Sequence, residues 1–195
     1  MNKINSVAII GLGAVGAVVG EQLNSVLGEK LFCVVDETRK QRYEKNGILI
    51  NNVRQNFNYV TPEELKPVDL VIIATKNLQI EEALSSIKNG IGSETAVLSL
   101  LNGIQSEREI EKLNGAAKTL YGFIIDLQSI NLSGNITCMG KGKIVFGEKN
   151  NEVSLRVKAI QQLFDEAKIK YETPENIELA MWKKFLINTV FNSLG

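Results

Sequence analysis

The sequence predicts an α/β fold, a doubly wound and mostly parallel sheet, with the first helix of an all-α second domain at its C-terminal end. Short runs rich in β-branched residues alternate with helical stretches. This alternation is typical of buried parallel strands covered by helices on both faces. The first run also ends at a glycine-rich turn that opens a helix, within residues 6–23.

The elements follow from local patterns along the chain. Strands are expected at residues 6–10, 31–35, 70–74, 96–100 and 119–125, and helices at 14–27, 78–90 and 106–113. Residues 132–147 predict a hairpin that turns at Gly140 and Gly142. Apolar residues at helical spacing predict an amphipathic helix over residues 152–168, with Val153 and Val157 on its buried stripe.

The last predicted helix begins at Thr173 and Pro174, as N-cap and first helical residue, and runs towards Gly195. Its apolar residues are Phe185, Ile187, Val190, Phe191 and Leu194. Because large apolar faces are usually covered, we expect a first domain at residues 1–172 and the start of a truncated helical domain at 173–195. The alternatives are a helix that packs back on the first domain, or one that pairs two copies in a homodimer.

Composition excludes several classes of function. The chain has 22 Lys and Arg against 22 Asp and Glu, so no net charge favours nucleic acid or a membrane surface as partner. No apolar run approaches the ~20 residues of a membrane span. Two distant cysteines and the absence of histidine argue against a metal site and against histidine-based catalysis. We expect a cytoplasmic protein without a metal.

The glycine-rich turn has the pattern G-x-G-x-x-G between a strand and a helix, and its residues are Gly11, Leu12, Gly13, Ala14, Val15 and Gly16. In this context Gly11 allows the tight turn, Gly13 lets a pyrophosphate approach the backbone, and Gly16 allows close helix packing. The N-terminus of the helix favours an anion. The turn therefore predicts a Rossmann-type dinucleotide site.

Asp36 follows the second predicted strand, 20 positions after Gly16. A carboxylate there accepts hydrogen bonds from the adenosine ribose and repels a 2′-phosphate, which favours NAD over NADP. The neighbouring Arg39, Lys40 and Arg42 leave the alternative open, since an arginine fork suits a phosphate.

Two further groups of polar residues are candidates for the site. Lys76 and Asn102 follow predicted strands, and ligands of open α/β sheets bind beyond strand ends. A solvated loop charge and a plain Asn-Gly turn are the alternatives. Lys184, Asn188 and Asn192 form one stripe on the last helix, which faces either solvent or a wet cleft.

Three motifs add to the glycine turn: Ala74-Thr75-Lys76-Asn77-Leu78-Gln79, Leu101-Asn102-Gly103-Ile104, and Trp182-Lys183-Lys184-Phe185 followed by Asn188 and Asn192. Together they resemble the ketopantoate reductase (2-dehydropantoate 2-reductase) family. The resemblance implies a Rossmann domain followed by a helical domain. It also implies reduction of the 2-keto group of ketopantoate with NADP or NAD, in pantothenate and coenzyme A synthesis.

The resemblance also implies roles for individual residues. Lys76 and Gln79 match positions that contact the cofactor near its adenosine end, and Asn102 matches one that meets the nicotinamide and the substrate. Lys184 matches the family's proton donor. Asn188 and Asn192 match positions that bind the small 2-keto acid substrate.

Departures from the family pattern keep rival functions open. Many members carry arginine where this chain has Asp36, and relatives with aspartate there include NAD-dependent D-2-hydroxyacid dehydrogenases of the same fold. A nucleotide-binding module without catalysis is a further alternative. We expect the chain as given to bind cofactor but to show little or no turnover.

Overall fold

The structure is a computed structural model that describes residues 3–75, 80–101, 105–114, 118–132 and 135–193. The strands are β1 (Val7–Ile10), β2 (Leu31–Val34), β3 (Ile48–Ile50), β4 (Val53–Gln55), β5 (Asn58–Val60), β6 (Val68–Ile73), β7 (Ile91–Ser99), β8 (Thr119–Ile125), β9 (Gln128–Leu132), β10 (Asn135–Met139), β11 (Lys143–Gly147) and β12 (Tyr171–Glu172). The helices are α1 (Ala14–Leu27), α2 (Glu37–Asn46), α3 (Ile80–Ser86), α4 (Gln105–Asn114), α5 (Leu155–Glu166) and α6 (Ile177–Ser193).

The main sheet has the strand order β12-β11-β8-β7-β6-β1-β2-β5. All of its neighbouring strands are parallel except β8 and β11, which are antiparallel. The chain first builds outwards from β1 through β2 and β5, and then returns to the other side of β1 with β6. This reversal opens a crevice at the carboxyl end of β1, and it confirms the predicted doubly wound α/β fold.

Residues of β1 alternate between two apolar clusters, one on each face of the sheet. Val7 and Ile9 belong to the cluster that α1 and α5 cover, whereas Ala8 and Ile10 belong to the one that α3 and α4 cover. A strand buried on both faces has no polar side, which explains why its sequence is continuously apolar.

The predicted hairpin at residues 132–147 is wrong in its pairing. Both strands form, but β10 pairs with β9 and β3 in a second, four-stranded sheet, whereas β11 pairs with β8 in the main sheet. Gly140 and Gly142 lie between them with φ of 78° and 73°. These left-handed conformations, which glycine adopts readily, allow the chain to pass from one sheet to the other. The hairpin prediction failed because the local sequence pattern does not show which strand is the pairing partner.

Two helix starts also differ from the prediction. Helix α5 begins at Leu155, because the Ser154 hydroxyl accepts a hydrogen bond from the backbone N–H of Val157 at 3.2 Å, and Val153 lies exposed before the helix. Helix α6 begins after Asn176, whose side chain accepts from the N–H of Leu179 at 2.8 Å. The Thr173 hydroxyl instead accepts from Gln161. Each helix uses the capping residue nearest its first buried turn.

Helix α6 lies on one face of β8 and β11. Ile177 and Met181 pack against Tyr121, Phe123 and Val145 in a small cluster. The other large apolar side chains that the structure describes on this helix are about half exposed: Leu179, Trp182, Phe185, Leu186 and Ile187. Within the described ranges, no helix is both long enough and apolar enough to cross a membrane.

Candidate active site

The three glycines of the turn after β1 have different surroundings. Gly11 adopts φ +94°, and a Cβ on it would lie 2.6 Å from the carbonyl carbon of Ala74. A Cβ on Gly16 would lie 2.1 Å from the backbone oxygen of Gly11. A Cβ on Gly13 would meet nothing within 4 Å. The fold itself therefore requires glycine at 11 and 16, whereas Gly13 borders open space.

The open space lies at the N-terminus of α1, where the helix is ready for an anion. Gly13 precedes the first turn without a capping side chain, and that turn carries no acidic residue. The Thr75 hydroxyl, just beyond β6, is buried and finds no hydrogen-bond partner within the described residues. Free N–H groups and the positive end of the helix dipole at this open space fit a diphosphate.

Asp36 lies directly beyond β2, beside the glycine turn. One of its oxygens accepts from the N–H of Arg39 at 2.7 Å and so caps α2, and the other lies 3.3 Å from the Arg39 guanidinium. The carboxylate remains more than half exposed. Lys40 pairs with Glu64 at 2.6 Å, and the Arg42 guanidinium lies over the ring of Tyr43.

A cleft of about 970 Å³ lies between α6 and the carboxyl end of β8. Its walls include Val15 from the first turn of α1, Phe123 and Ile124 from β8, and Lys184 and Asn188 from α6. The helix that presents the anion site and the helix that carries the predicted substrate residues thus border one cavity. The polar stripe of α6 lines a cleft at these two positions.

Lys184 reaches towards β8 from α6. Its Nζ donates a hydrogen bond to the carbonyl oxygen of Ile124 at 2.9 Å and lies 4.8 Å from the ring centre of Phe123. Desolvation by burial lowers the pKa of Lys184 to about 8, and the charge of Glu107 opposes this change. The adjacent Lys183 is exposed. Lys183 also borders the cleft, so burial and not position distinguishes the two neighbouring lysines.

Several predicted site residues lie outside the part of the chain that the structure describes. These are Lys76, Gln79 and Asn102, together with the side chain of Asn192. The backbone that leads to two of them is described: Ala74 donates to Ile10 at 2.9 Å, and Leu100 donates to Ile73 at 2.9 Å. Strands β6 and β7 therefore end at the same edge as the glycine turn, and the assigned roles stay predictions.

The sequence reasoning missed Glu107, a carboxylate in the first turn of α4 that is 0% exposed. One signal was present in the pattern. Ile110, three residues later, lies on the same face of a helix and is fully buried. That spacing places Glu107 on the buried side of α4, although an acidic residue in a helix is usually exposed.

Comparison with known proteins assigns the family. Residues 7–151 match the family model described as ketopantoate reductase PanE/ApbA. The chain belongs to this family.

The similar proteins include enzymes with two different names. A 2-dehydropantoate 2-reductase of Pyrococcus horikoshii is 29% identical over 190 residues, which cover 96% of this chain and 62% of that protein. The crystal structure of 2-dehydropantoate 2-reductase from Geobacter metallireducens matches with a TM-score of 0.86 and 26% identity, over 97% of this chain and 64% of the other. A complex of D-mandelate dehydrogenase with NADH matches with a TM-score of 0.82 and 26% identity, over 97% and 61%. The chain thus spans 61 to 64% of the length of these proteins.

The different surroundings of the glycines predict different effects of the same substitution. Gly16→Ala should destabilise the fold by about 2 kcal/mol or more, because the added methyl overlaps the backbone of Gly11. Gly13→Ala should change the free energy of unfolding by less than about 0.5 kcal/mol, since its space is open. Urea unfolding of both variants measures the difference, and equal losses would contradict the described packing.

Proposed function

We propose that this chain is the dinucleotide-binding part of a reductase that converts 2-dehydropantoate to pantoate, with NAD(P)H as the reductant, in pantothenate and coenzyme A synthesis. One observation carries the proposal. Val15, beside the anion site, and Lys184, a half-buried ammonium, border the same cleft. A keto acid in that cleft would lie within reach of both the cofactor and a proton donor.

Binding of the dinucleotide is assigned to the first βα turn. The N–H groups around Gly13, Ala14 and Val15 would hold the pyrophosphate, because a side chain is absent where the phosphates approach. When bound, the reduced nicotinamide supplies the hydride. Lys76 and Gln79 are proposed to contact the adenosine end and Asn102 the nicotinamide end.

Lys184 is proposed as the proton donor. As the keto carbon gains a hydride, its oxygen gains negative charge and takes a proton from Nζ, which leaves a hydroxyl group on the product and a neutral amine on the protein. A pKa of about 8 suits this transfer, because an acid works best when its pKa lies near the working pH. At pH values below this pKa, the Lys184 ammonium also stabilises the negative charge that develops on the keto oxygen.

The substrate would be oriented by amide side chains. Asn188 borders the cleft one helical turn beyond Lys184, and Asn192 follows one turn later on the same helix. Amide groups at this spacing can hold a carboxylate and a hydroxyl without adding charge. Fixing the acid in this way places its keto group beside the ammonium.

NAD is proposed as the preferred cofactor. The Asp36 carboxylate beyond β2 can accept ribose hydroxyls, and it would repel a 2′-phosphate. Of the three nearby basic residues, Lys40 is held by Glu64 and Arg42 by Tyr43. The Arg39 guanidinium is paired with the Asp36 carboxylate at 3.3 Å. Each of the three basic side chains therefore already has a partner within the protein.

A second candidate is an NAD-dependent D-2-hydroxyacid dehydrogenase of the same fold. Asp36 favours it, and D-mandelate dehydrogenase with NADH is among the similar structures. The two candidates differ in the acid that is reduced and share the site described here. A panel of 2-keto acids, with ketopantoate and phenylglyoxylate included, separates them.

Residues 173–195 are proposed to begin a helical domain that completes the cleft. Helix α6 buries Ile177 and Met181 against the sheet but leaves Trp182, Phe185 and Leu186 half exposed. Apolar surface of this kind usually has a partner. The longer relatives also support this division. A gene whose reading frame stops after codon 195 would contradict it, and a homodimer would then show as a doubled mass in light scattering.

Calorimetric titration with NADH tests the anion site. Wild type should bind, and Gly13→Ala should bind at least about tenfold more weakly although it folds, because its methyl group enters the space of the phosphates. Gly20→Ala serves as the control, because it adds a methyl group to the same helix at ordinary contact distances of 3.5 Å or more, and it should leave NADH affinity unchanged. Unchanged NADH affinity in Gly13→Ala would remove the basis of the proposed function.

Asp36→Ser tests the cofactor preference. Serine can still cap α2, whereas the negative charge is lost, so the ratio of NADH affinity to NADPH affinity should fall at least about tenfold. Glu37→Gln removes an adjacent exposed charge and should leave that ratio unchanged. A wild-type protein that binds NADPH more tightly would contradict the NAD assignment.

Lys184→Ala tests the proton donor, in the protein as its gene encodes it. Keto acid reduction should fall about 100-fold or more. In wild type the rate should be full below pH 8 and fall as the pH rises through about 8, because the ammonium loses its proton there. Lys183→Ala should stay within about threefold of wild type. A loss of less than tenfold in Lys184→Ala would exclude the role.

A further inference from the structure

Glu107 is a buried carboxylate to which the proposed reaction gives no part. Its residue is 0% exposed, and it lies in the first turn of α4, directly after the segment that carries Asn102. A charged side chain is seldom fully buried unless another charge or hydrogen bonds stabilise it. The burial of the Glu107 carboxylate therefore needs an interaction that stabilises its charge.

The face of α4 that carries Glu107 packs on β8. One turn later on this face, Glu111 accepts a hydrogen bond from the hydroxyl of Tyr121 at 3.0 Å. Tyr121 also lies in the cluster that seats Ile177 and Met181 of α6. Helices α4 and α6 thus contact the same face of β8, side by side.

Lys184 approaches this strand from the α6 side. Its Nζ lies on the carbonyl oxygen of Ile124 and over the ring of Phe123, both at the carboxyl end of β8. Because α4 follows a strand parallel to β8, its first turn lies at that same end of the sheet. A buried carboxylate and a half-buried ammonium therefore lie on two helices that both pack at this end of β8.

We propose that Glu107 is a positioning residue, whose buried carboxylate keeps the Lys184 ammonium charged and directed at the carboxyl end of β8. The role rests on the proposed proton transfer by Lys184. The charge balance explains the need for it. Desolvation favours the neutral amine, which cannot donate a proton to a carbonyl oxygen, and a fixed negative charge opposes that loss.

Other charged side chains line the cleft, whereas Glu107 is buried in the first turn of α4. Lys183 is exposed on α6, and Asp126, Glu172 and Glu175 line the cleft wall. Glu172 is bound to Lys143 at 2.7 Å. Among the groups that the structure describes, Glu107 is the carboxylate whose charge acts on Lys184.

Competitive acetylation of the lysines, read by peptide mass spectrometry over a range of pH, tests the coupling without substrate or cofactor. In Glu107→Gln the pH at which Lys184 becomes half reactive should fall by about one pH unit, because an opposing charge is removed. Glu109→Gln, on the same helix, should leave it unchanged. In Glu107→Asp, which keeps the charge, the pH at which Lys184 becomes half reactive should stay close to the wild-type value.

The outcomes separate this proposal from the proposed function. If folded Glu107→Gln shows no change in the pH at which Lys184 becomes half reactive, the positioning role is overturned, whatever the enzyme reduces. If that pH does change in Glu107→Gln but Lys184→Ala keeps full activity, the coupling between the two residues stands and the proposed proton transfer is overturned. If Glu107→Gln does not fold, adding Lys184→Met should restore folding, since the unpaired ammonium is then gone. Absence of that rescue also overturns the role.

Discussion

The close approach of α1 to the turn after β1 determines where every other part of the site lies. A single methyl group at position 16 would overlap the backbone oxygen of Gly11, so helix and turn are in direct contact. This contact directs the first N–H groups of α1 past the end of β1. The positive end of the helix and the crevice of the sheet therefore coincide, and an anion is stabilised at one place on the surface.

Strand order brings the remaining groups to that place. Strands β1, β6 and β7 are parallel neighbours, so the segments that follow them emerge at one edge, beside the glycine turn. The antiparallel strand β11 and helix α6 then add the far wall of the cleft. Lys184 lies 169 positions from Val15 in the sequence, and the packing of their two helices on the sheet brings them to one cavity.

The sequence predicted what depends on neighbouring residues. The alternation of apolar strands with helices, and the glycines of the first turn, carry their structural reasons locally, and both predictions agree with the structure. Pairing at a distance has no such signal. Strands β10 and β11 have the pattern of a hairpin, yet β11 pairs with β8 and β10 with β9. Glu107 was missed for a different reason: its spacing from Ile110 marks the buried side of α4, but an acidic residue in a helix is usually exposed.

The surroundings of Lys184 decide whether it can serve as the proposed proton donor. A lysine in water holds its proton too tightly to be an efficient acid near neutral pH, and burial corrects this by disfavouring the charge. Burial also weakens the ammonium form that must carry the proton. The carbonyl oxygen of Ile124, the ring of Phe123 and the charge of Glu107 each favour the ammonium. A pKa of about 8 is therefore a balance between two opposed effects, and each can be changed by a separate side chain.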